Sequence, residues 1–277
     1  MEKTSLAKGL REIATNKIFI ACMVVVVLFL IGGSIAPGFL HLSHMMTILG
    51  LASFLGIIAL GQTLAVLAGA EGLDLSVGAV VSLSSVVAAG ILQGSDAILP
   101  LSLAAVLFAG LVVGLINGAG IAFFRIPPLV MTLAMSSVVG GFGIVYTNGQ
   151  PSGMVSPLLK TIVTGRVGFF PFIIAVWLVV IVVAVLILEK TRTGRKLYGV
   201  GSNDITARLS GVRTRGVRTA AYAVSGMCSA LAGLLLLGYT GTPYLDVGSI
   251  YVMPSVVTVV IGGIASSTAA SSRATRC

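Results

Sequence analysis

Eight apolar stretches separated by short polar connections make up most of this chain, and they constrain its fold more than any other feature. Seven of them cover roughly residues 18–35, 46–69, 75–93, 98–123, 129–147, 169–188 and 219–238, and an eighth begins near Ile250 and fades after Ile264. A helix needs about 20 apolar residues to cross the hydrocarbon core of a membrane. The stretches are continuous rather than alternating, which favours helices over the strands of a barrel. We therefore predict an all-α, polytopic bundle with about eight transmembrane helices.

Charged residues are scarce and unevenly distributed. They make up only 9% of the 277 residues, against about 25% in a soluble domain, so lipid must cover much of the surface. The formal net charge of +9 does not indicate nucleic-acid binding, because the basic residues lie at the ends of apolar segments rather than on one folded face. We expect membrane lipid, and no nucleic acid, as a partner.

The positions of Lys and Arg predict the orientation in the membrane. With the N-terminus inside, 15 of the 17 basic residues lie in inside segments, and only Lys160 and Arg166 lie outside. Cytoplasmic loops carry such an excess of Lys and Arg. We predict a cytoplasmic N-terminal segment at 1–17, a transmembrane domain at 18–264 and, within it, a basic cytoplasmic loop at 189–218.

Two short segments of the chain match each other. Residues 73–78 (LDLSVG) resemble residues 245–248 (LDVG), and Ser-Val-Val begins seven residues after the final glycine of each. The predicted orientation places one segment near the cytoplasm and the other outside, as expected of an inverted-topology repeat, a common plan of transporters. Small residues also match easily by chance, so a true repeat and a chance match both remain open.

Acidic residues occur beside the apolar stretches. Glu71 and Asp74 lie between two stretches, and Asp246 lies shortly before the eighth. Acidic groups this close to hydrocarbon need water, a partner or a cavity, which predicts that they border a transport pathway. A tight turn in which Asp74 or Ser76 caps the next helix explains the same pattern. Both interpretations remain open for Asp246 as well.

The fourth stretch combines a ridge of glycines with one polar residue. Gly110, Gly114 and Gly118 recur every four residues, and such ridges let helix backbones approach closely in lipid. We expect this ridge to pack inside the bundle rather than to form a dimer contact. Asn117, on the same helix, either bonds a neighbouring helix or lines a pathway.

The centre of the basic loop predicts a short helix. Ser202 or Asn203 can cap its start, and Gly211 can end it in a left-handed conformation. Ile205 and Leu209 are four residues apart and share one face. A helix of about two turns is too short to be stable alone in water. Its short apolar face and its cap and stop signals favour docking to a cytoplasmic partner over binding to anionic lipid.

Several motifs between about residue 45 and residue 264 together resemble those of ribose-type ABC importer permeases. They are EGLDLSVG at 71–78, TNG at 147–149, RTGR at 192–195, GSN at 201–203, ARLSGV at 207–212, YAVSG at 222–226 and VVIGG at 259–263. Each motif alone is weak, but their shared order along the chain is specific.

The resemblance implies a multi-pass permease subunit in the plasma (inner) membrane of a prokaryote, paired with a second copy or a sister permease. It also implies an ATP-binding subunit on the cytoplasmic side and an extracytoplasmic sugar-binding protein that delivers a small sugar. In that family the loop helix fits a groove of the ATPase. Carried over by position, this docking role falls on Gly201, Asn203, Ala207, Leu209, Ser210 and Gly211.

We do not expect the chain itself to be an enzyme. No Lys follows the Gly-rich spacing of a phosphate-binding loop, so ATP hydrolysis is expected on a separate subunit. His41 and His44 are the only histidines, and no Cys, Asp or Glu stands near them in the sequence. We therefore expect no catalytic residue, no metal site and no cofactor on this chain.

Residues 265–277 depart from the family pattern, because the apolar signal stops and a polar segment follows. We expect a frameshift or a truncation there, and a genuine short tail is the alternative. A truncated chain could be a non-functional permease.

Two other functions compete with ATP-driven import, namely an ion-coupled secondary transporter and a membrane scaffold. Ion-coupled carriers usually hold charged groups inside their spans. The predicted span interiors hold none, which argues against that alternative.

Overall fold

A computed structural model of the protein describes residues 17–69 and 72–262. Its elements are α1 (Lys17–Ile35), α2 (Leu42–Leu67), α3 (Val77–Leu92), a 3₁₀ turn (Asp96–Ile98), α4 (Leu99–Phe123), α5 (Pro128–Thr147), α6 (Pro157–Thr164), β1 (Arg166–Val167), β2 (Phe170–Pro171), α7 (Phe172–Lys190), α8 (Arg192–Ser202), α9 (Asp204–Leu209), α10 (Thr214–Thr240) and α11 (Ser249–Ile261). Glu71 and the tail at 265–277, with its predicted frameshift or truncation, lie outside the described residues.

The predicted all-α, polytopic architecture is confirmed. Within residues 17–69 and 72–262, five helical segments are long and apolar enough to cross a membrane: α2, the 3₁₀ turn together with α4, α5, α7 and α10. The remaining predicted stretches form the shorter apolar helices α1, α3 and α11. The only strands in the described part of the chain are β1 and β2, two residues each, which pair antiparallel just before α7.

The glycine ridge of α4 packs against α10 at the centre of the bundle. A Cβ built on Gly110 would overlap the carbonyl of Gly226, and one on Gly114 would overlap the carbonyl of Tyr222. Only glycine therefore permits the backbones to approach this closely. The prediction that the ridge packs within the bundle is confirmed.

The short helices α3 and α11 meet near their first turns and run antiparallel. A Cβ on Gly78 or on Gly248 would collide with the carbonyl of the other glycine, and the Gly248 N–H donates to Ser82 Oγ at 2.9 Å. Val252 lies against Gly78, one turn further along α11. The two glycines end the matching sequence segments, so the structure brings together the positions that the proposed inverted repeat relates.

Candidate functional site

A buried group of polar side chains lies where α2, α3, α4 and α10 converge. We call it the polar centre; its members are Gln62, Asp74, Ser76, Asn117 and Ser225, each no more than 1% exposed. Ser225 is eleven residues beyond Thr214, the start of α10, which places it about 16 Å along that helix. The polar centre is therefore deep in the bundle, although Asp74 belongs to a connection between helices.

Hydrogen bonds from the N-cap of α3 and from α10 hold the Asp74 side chain. Its Oδ1 accepts from the Ser76 N–H at 3.1 Å and from Ser76 Oγ at 2.6 Å, and its Oδ2 accepts from Ser225 Oγ at 2.8 Å. Asn117 Nδ2 donates to Ser76 Oγ at 2.9 Å. These bonds link the start of α3 to α4 and α10.

The backbone of Asp74 is held as well. With its amide nitrogen facing the Asp74 carbonyl, Gln62 donates to that oxygen at 3.0 Å and accepts from the Asp74 N–H at 3.2 Å. The backbone N–H and the carbonyl of Asp74 thus both have partners, and Gln62 adds α2 to the network. A buried connection needs such partners because its backbone groups have no helical ones.

Asp74 makes no ion pair with any described residue, since both salt bridges found there involve Asp204. Two buried atoms nearby in the bundle, Asn117 Oδ1 and the Tyr222 hydroxyl, have no hydrogen-bond partner in the described part of the chain. Buried polar atoms are nearly always bonded, so such exceptions mark strain or function. An unpaired carboxylate at this depth is a candidate functional group.

The structure separates the predicted pathway residues. Asp74 and Asn117 are brought together through Ser76, whereas Asp246 is exposed in the connection before α11 and joins no part of the polar centre. Glu71 lies outside the described residues. Ser76 stands at the N-cap position of α3 but makes no side-chain capping bond. The Asp74 carboxylate stabilises the start of α3 instead, because it accepts the Ser76 N–H.

The sequence argument that span interiors hold no charged group is wrong for Asp74. The residue lies between apolar stretches, but its connection folds back into the bundle, so that Gly72 packs on the Ala65 carbonyl of α2. Ser225 and Tyr222 were not predicted as site residues. The YAVSG motif that contains them was the signal that could have identified them.

The short helix predicted in the basic loop is confirmed as α9. Asn203 caps it by accepting from the Thr206 N–H at 3.0 Å, and Gly211 follows with a φ of +80°. Ser202 instead ends α8 and donates to the Tyr198 carbonyl at 2.8 Å. The alternative cap at Ser202 is therefore wrong.

Only part of the predicted docking set faces outward. Leu209 is 84% exposed and its neighbour Ile205 is 72% exposed, so α9 presents an apolar face without a described partner. Ala207 is buried, and a Cβ on Gly201 would overlap the Leu67 carbonyl at the end of α2. Ser210 donates to the Thr206 carbonyl at 3.0 Å. Ala207 and Gly201 therefore shape the loop, whereas Ser210 is exposed on its surface.

Asp204 ties α9 to the rest of the bundle. Its carboxylate contacts Arg208 at 3.0 Å and Arg218 of α10 at 3.4 Å. Arg218 also donates from Nε to the Ala68 carbonyl at 3.1 Å. The same helix α10 carries Ser225 two turns further on, so one rigid element connects the exposed loop to the polar centre.

Comparison with known proteins identifies permease proteins as relatives of this chain. A family model described as the permease component of a branched-chain amino acid transport system matches residues 44–273. The ribose import permease protein of Haemophilus influenzae is 32% identical over 257 residues, which cover 91% of this chain and 78% of that protein. The corresponding protein of Bacillus subtilis is 32% identical over 241 residues, with coverages of 86% and 73%.

A relative with a different named substrate matches equally broadly. The autoinducer 2 import system permease protein of Shigella flexneri is 30% identical over 261 residues, covering 92% of this chain and 74% of that protein. No solved structure matches the chain significantly. Because the family model and these relatives cover most of its length, the chain belongs to this family of transport-system permease components, as a ribose-type ABC permease.

Proposed function

We propose that this chain is the membrane-spanning permease subunit of an ATP-driven importer for a small sugar. The observation that supports the proposal is the apolar face of α9, which is exposed in the described structure and is connected through α10 to a polar centre deep in the bundle. The printed names of the relatives, for ribose and autoinducer 2 import, support a small sugar or sugar-like substrate.

The proposed partners follow from the family. An ATP-binding subunit would take the face formed by Ile205 and Leu209, an extracytoplasmic sugar-binding protein would deliver the substrate, and a second copy or a sister permease would complete the membrane unit. The predicted orientation puts α9 and the N-terminus in the cytoplasm of a prokaryote.

The described contacts suggest how movement of the ATPase would reach the membrane interior. A displacement of α9 would act on Arg218 through the Asp204 carboxylate, and α10 would carry it to Ser225. We propose that Asp74 and Asn117 border the transport pathway. A movement of α10 would change the Ser225–Asp74 hydrogen bond there.

Replacement of one exposed leucine tests the docking step. We expect Leu209→Asp to abolish co-purification with the ATP-binding subunit, because a carboxylate replaces an apolar anchor that a partner groove would desolvate. Val167→Asp is the control, since Val167 is 68% exposed and lies in β1, at the opposite end of the adjacent helix α7. Normal co-purification of membrane-inserted Leu209→Asp would remove the docking proposal.

An ion-coupled secondary transporter is the second candidate. The observation that favours it is the buried Asp74 carboxylate, which has no cationic partner in the described residues. Ion-coupled carriers use such intramembrane acids. Uptake that depends on an ion gradient rather than ATP would favour this candidate.

A further inference from the structure

An apolar groove lies between α7 and α10 on the outside of the bundle. The helices α2 and α8 each pack against both α7 and α10, so all four contribute to its walls. Its volume is about 220 Å³, and its lining includes Leu60, Leu64, Val183, Ile187, Ala220 and Val224. Gly69 and Gly72 lie elsewhere, against Arg218 and the Ala65 carbonyl. We call this the α7–α10 groove.

The groove has the depth of one lipid leaflet. Along α10 it extends from Val217 to Cys228, a length of about 16 Å, which is roughly half of the hydrocarbon core. Val183 and Ile187 of α7 and Val224 of α10 are exposed in its walls. Dry apolar cavities of about 150 Å³ bind hydrocarbons such as benzene. The groove therefore fits a segment of an acyl chain rather than water.

Three cationic side chains stand at the end of the groove that is predicted to be cytoplasmic. Lys190 and Lys196 each follow a lining residue by three positions, on α7 and α8. Arg213, the N-cap of α10, precedes the lining residue Val217 by four positions. Residues three or four apart are neighbours on one side of a helix, so each cation lies about one turn from the lining. All three are exposed.

The surroundings of this end also favour an anion. The first turn of α8 borders the groove at Thr193 and Gly194, and a helix N-terminus carries a partial positive charge. No described carboxylate pairs with the three cations, because both salt bridges in residues 17–69 and 72–262 involve Asp204 with other arginines. Glu189 is two positions from Ile187 and therefore lies on another side of α7. The groove thus combines an apolar interior with a basic mouth.

We propose that the α7–α10 groove binds an anionic phospholipid of the cytoplasmic leaflet. One acyl chain lies between α7 and α10, and the phosphate lies at the first turn of α8, near Lys190, Lys196 and Arg213. Anionic headgroups are attracted to such basic clusters beside membrane helices. A second copy of the chain would instead bring the same positive charges to the same leaflet, where like charges repel. The inference goes beyond the proposed function, because it concerns no transported substrate.

The bound lipid would also brace the loop that carries α9. The helix α8 ends at Ser202, and only Asn203 separates it from α9. A lipid whose phosphate is held at α8 and whose chain lies between α7 and α10 bridges all three helices. Occupancy would therefore restrict movement of α8 and, through it, of the exposed face of α9.

The test of the headgroup contact is native mass spectrometry of the full chain in detergent, titrated with phosphatidylglycerol or with phosphatidylcholine of the same chain length. We expect one phosphatidylglycerol to bind saturably and phosphatidylcholine to bind about tenfold more weakly or less. Lys190→Gln and Arg213→Gln should each weaken phosphatidylglycerol binding about fivefold, because each removes one cation near the phosphate. Lys160→Gln is the matched control, since it removes an exposed cation in α6, at the other end of α7.

A second pair of variants tests the acyl-chain contact. We expect Ala220→Phe to displace phosphatidylglycerol, because Ala220 is an exposed part of the lining and a phenyl ring would fill the groove. Ala104→Phe is the control, since Ala104 is exposed on α4, outside the groove.

Three results would overturn the proposal: equal binding of the two lipids, equal weakening by Lys160→Gln and Arg213→Gln, or unchanged phosphatidylglycerol binding by Ala220→Phe. If Ala220→Phe leaves lipid binding unchanged but converts a dimer into a monomer in the same spectra, a second copy of the chain occupies the groove instead.

Discussion

Asp74 has a structural role at the position where we also propose a pathway group. Its carboxylate supports the first turn of α3 through Ser76 and also bonds Ser225 of α10, 151 residues later in the chain. Burial of a charge is costly unless hydrogen bonds replace the lost water. We therefore expect the network to be sensitive to the loss of any donor.

Ser225→Ala tests that expectation. The change removes one hydrogen bond to a buried carboxylate, which should lower stability by about 1.5–3 kcal/mol. Ser229→Ala is the matched control, because Ser229 is equally buried one turn further along α10 but bonds only its own helix, at Ser225 O. Thermal unfolding of the purified subunit in detergent measures both. Equal losses for the two variants would show that the Asp74 contact contributes nothing special.

Sequence reasoning reached some of these residues and missed others for a physical reason. Asp74 and Asn117 stand out because charged and amide side chains are rare in and beside the apolar stretches. Ser225 does not stand out, since serines are common in membrane helices and its partner is distant in sequence. The depth of Asp74 also escaped prediction, because periodicity places a connection at the membrane surface and cannot show that it folds inward.

At the scale of elements, α10 links the three features that matter here. It packs along the glycine ridge of α4, carries Ser225 of the polar centre and contacts Asp204 of α9 through Arg218. Its close contact with α4 makes the two helices one unit. In the proposed mechanism, a movement at α9 would thus act on this packed pair rather than on one free helix.

Gly114→Ala tests how closely these helices must pack. The added methyl group would overlap the Tyr222 carbonyl, and overpacking of this kind costs about 1–3 kcal/mol. Gly140→Ala is the control, because a Cβ at Gly140 of α5 meets no described atom within 4 Å. It should be neutral or slightly stabilising, since alanine favours a helix more than glycine does. If denaturation midpoints of the two variants coincide, the ridge is not a tight contact.

The positions of the helices were predicted better than the contacts between them. Apolar length located all eight apolar helices, and the signals at Asn203 and Gly211 located α9 within a residue. The contact of Gly78 with Gly248 joins the first turns of the two shorter helices α3 and α11. Such a contact follows from tertiary packing, and only the weak match between residues 73–78 and 245–248 indicated it.

At the scale of the whole molecule, the account depends on which end of the bundle faces the cytoplasm. The basic loop with α8 and α9 lies at one end, and the connection that contains α6 and β1 lies at the other, because α7 runs between them. The excess of Lys and Arg places the first end inside.

Labelling of single cysteines tests this orientation. In a background with the native cysteines replaced by serine, we expect a membrane-impermeant maleimide to label Lys160→Cys in intact cells. Lys196→Cys should react only after the membrane is opened, because its loop is predicted to be cytoplasmic. The reverse pattern would invert the topology and would place α9 outside the cell.

The most direct test of the central claim is sugar uptake by the chain reconstituted in vesicles with its ATP-binding subunit and sugar-binding protein. The account predicts uptake of a small sugar that requires ATP, persists when ion gradients are collapsed and is lost with Leu209→Asp. Uptake that continues without ATP and disappears with the ion gradient would contradict it, and would make Asp74 the ion-coupling group of a secondary transporter.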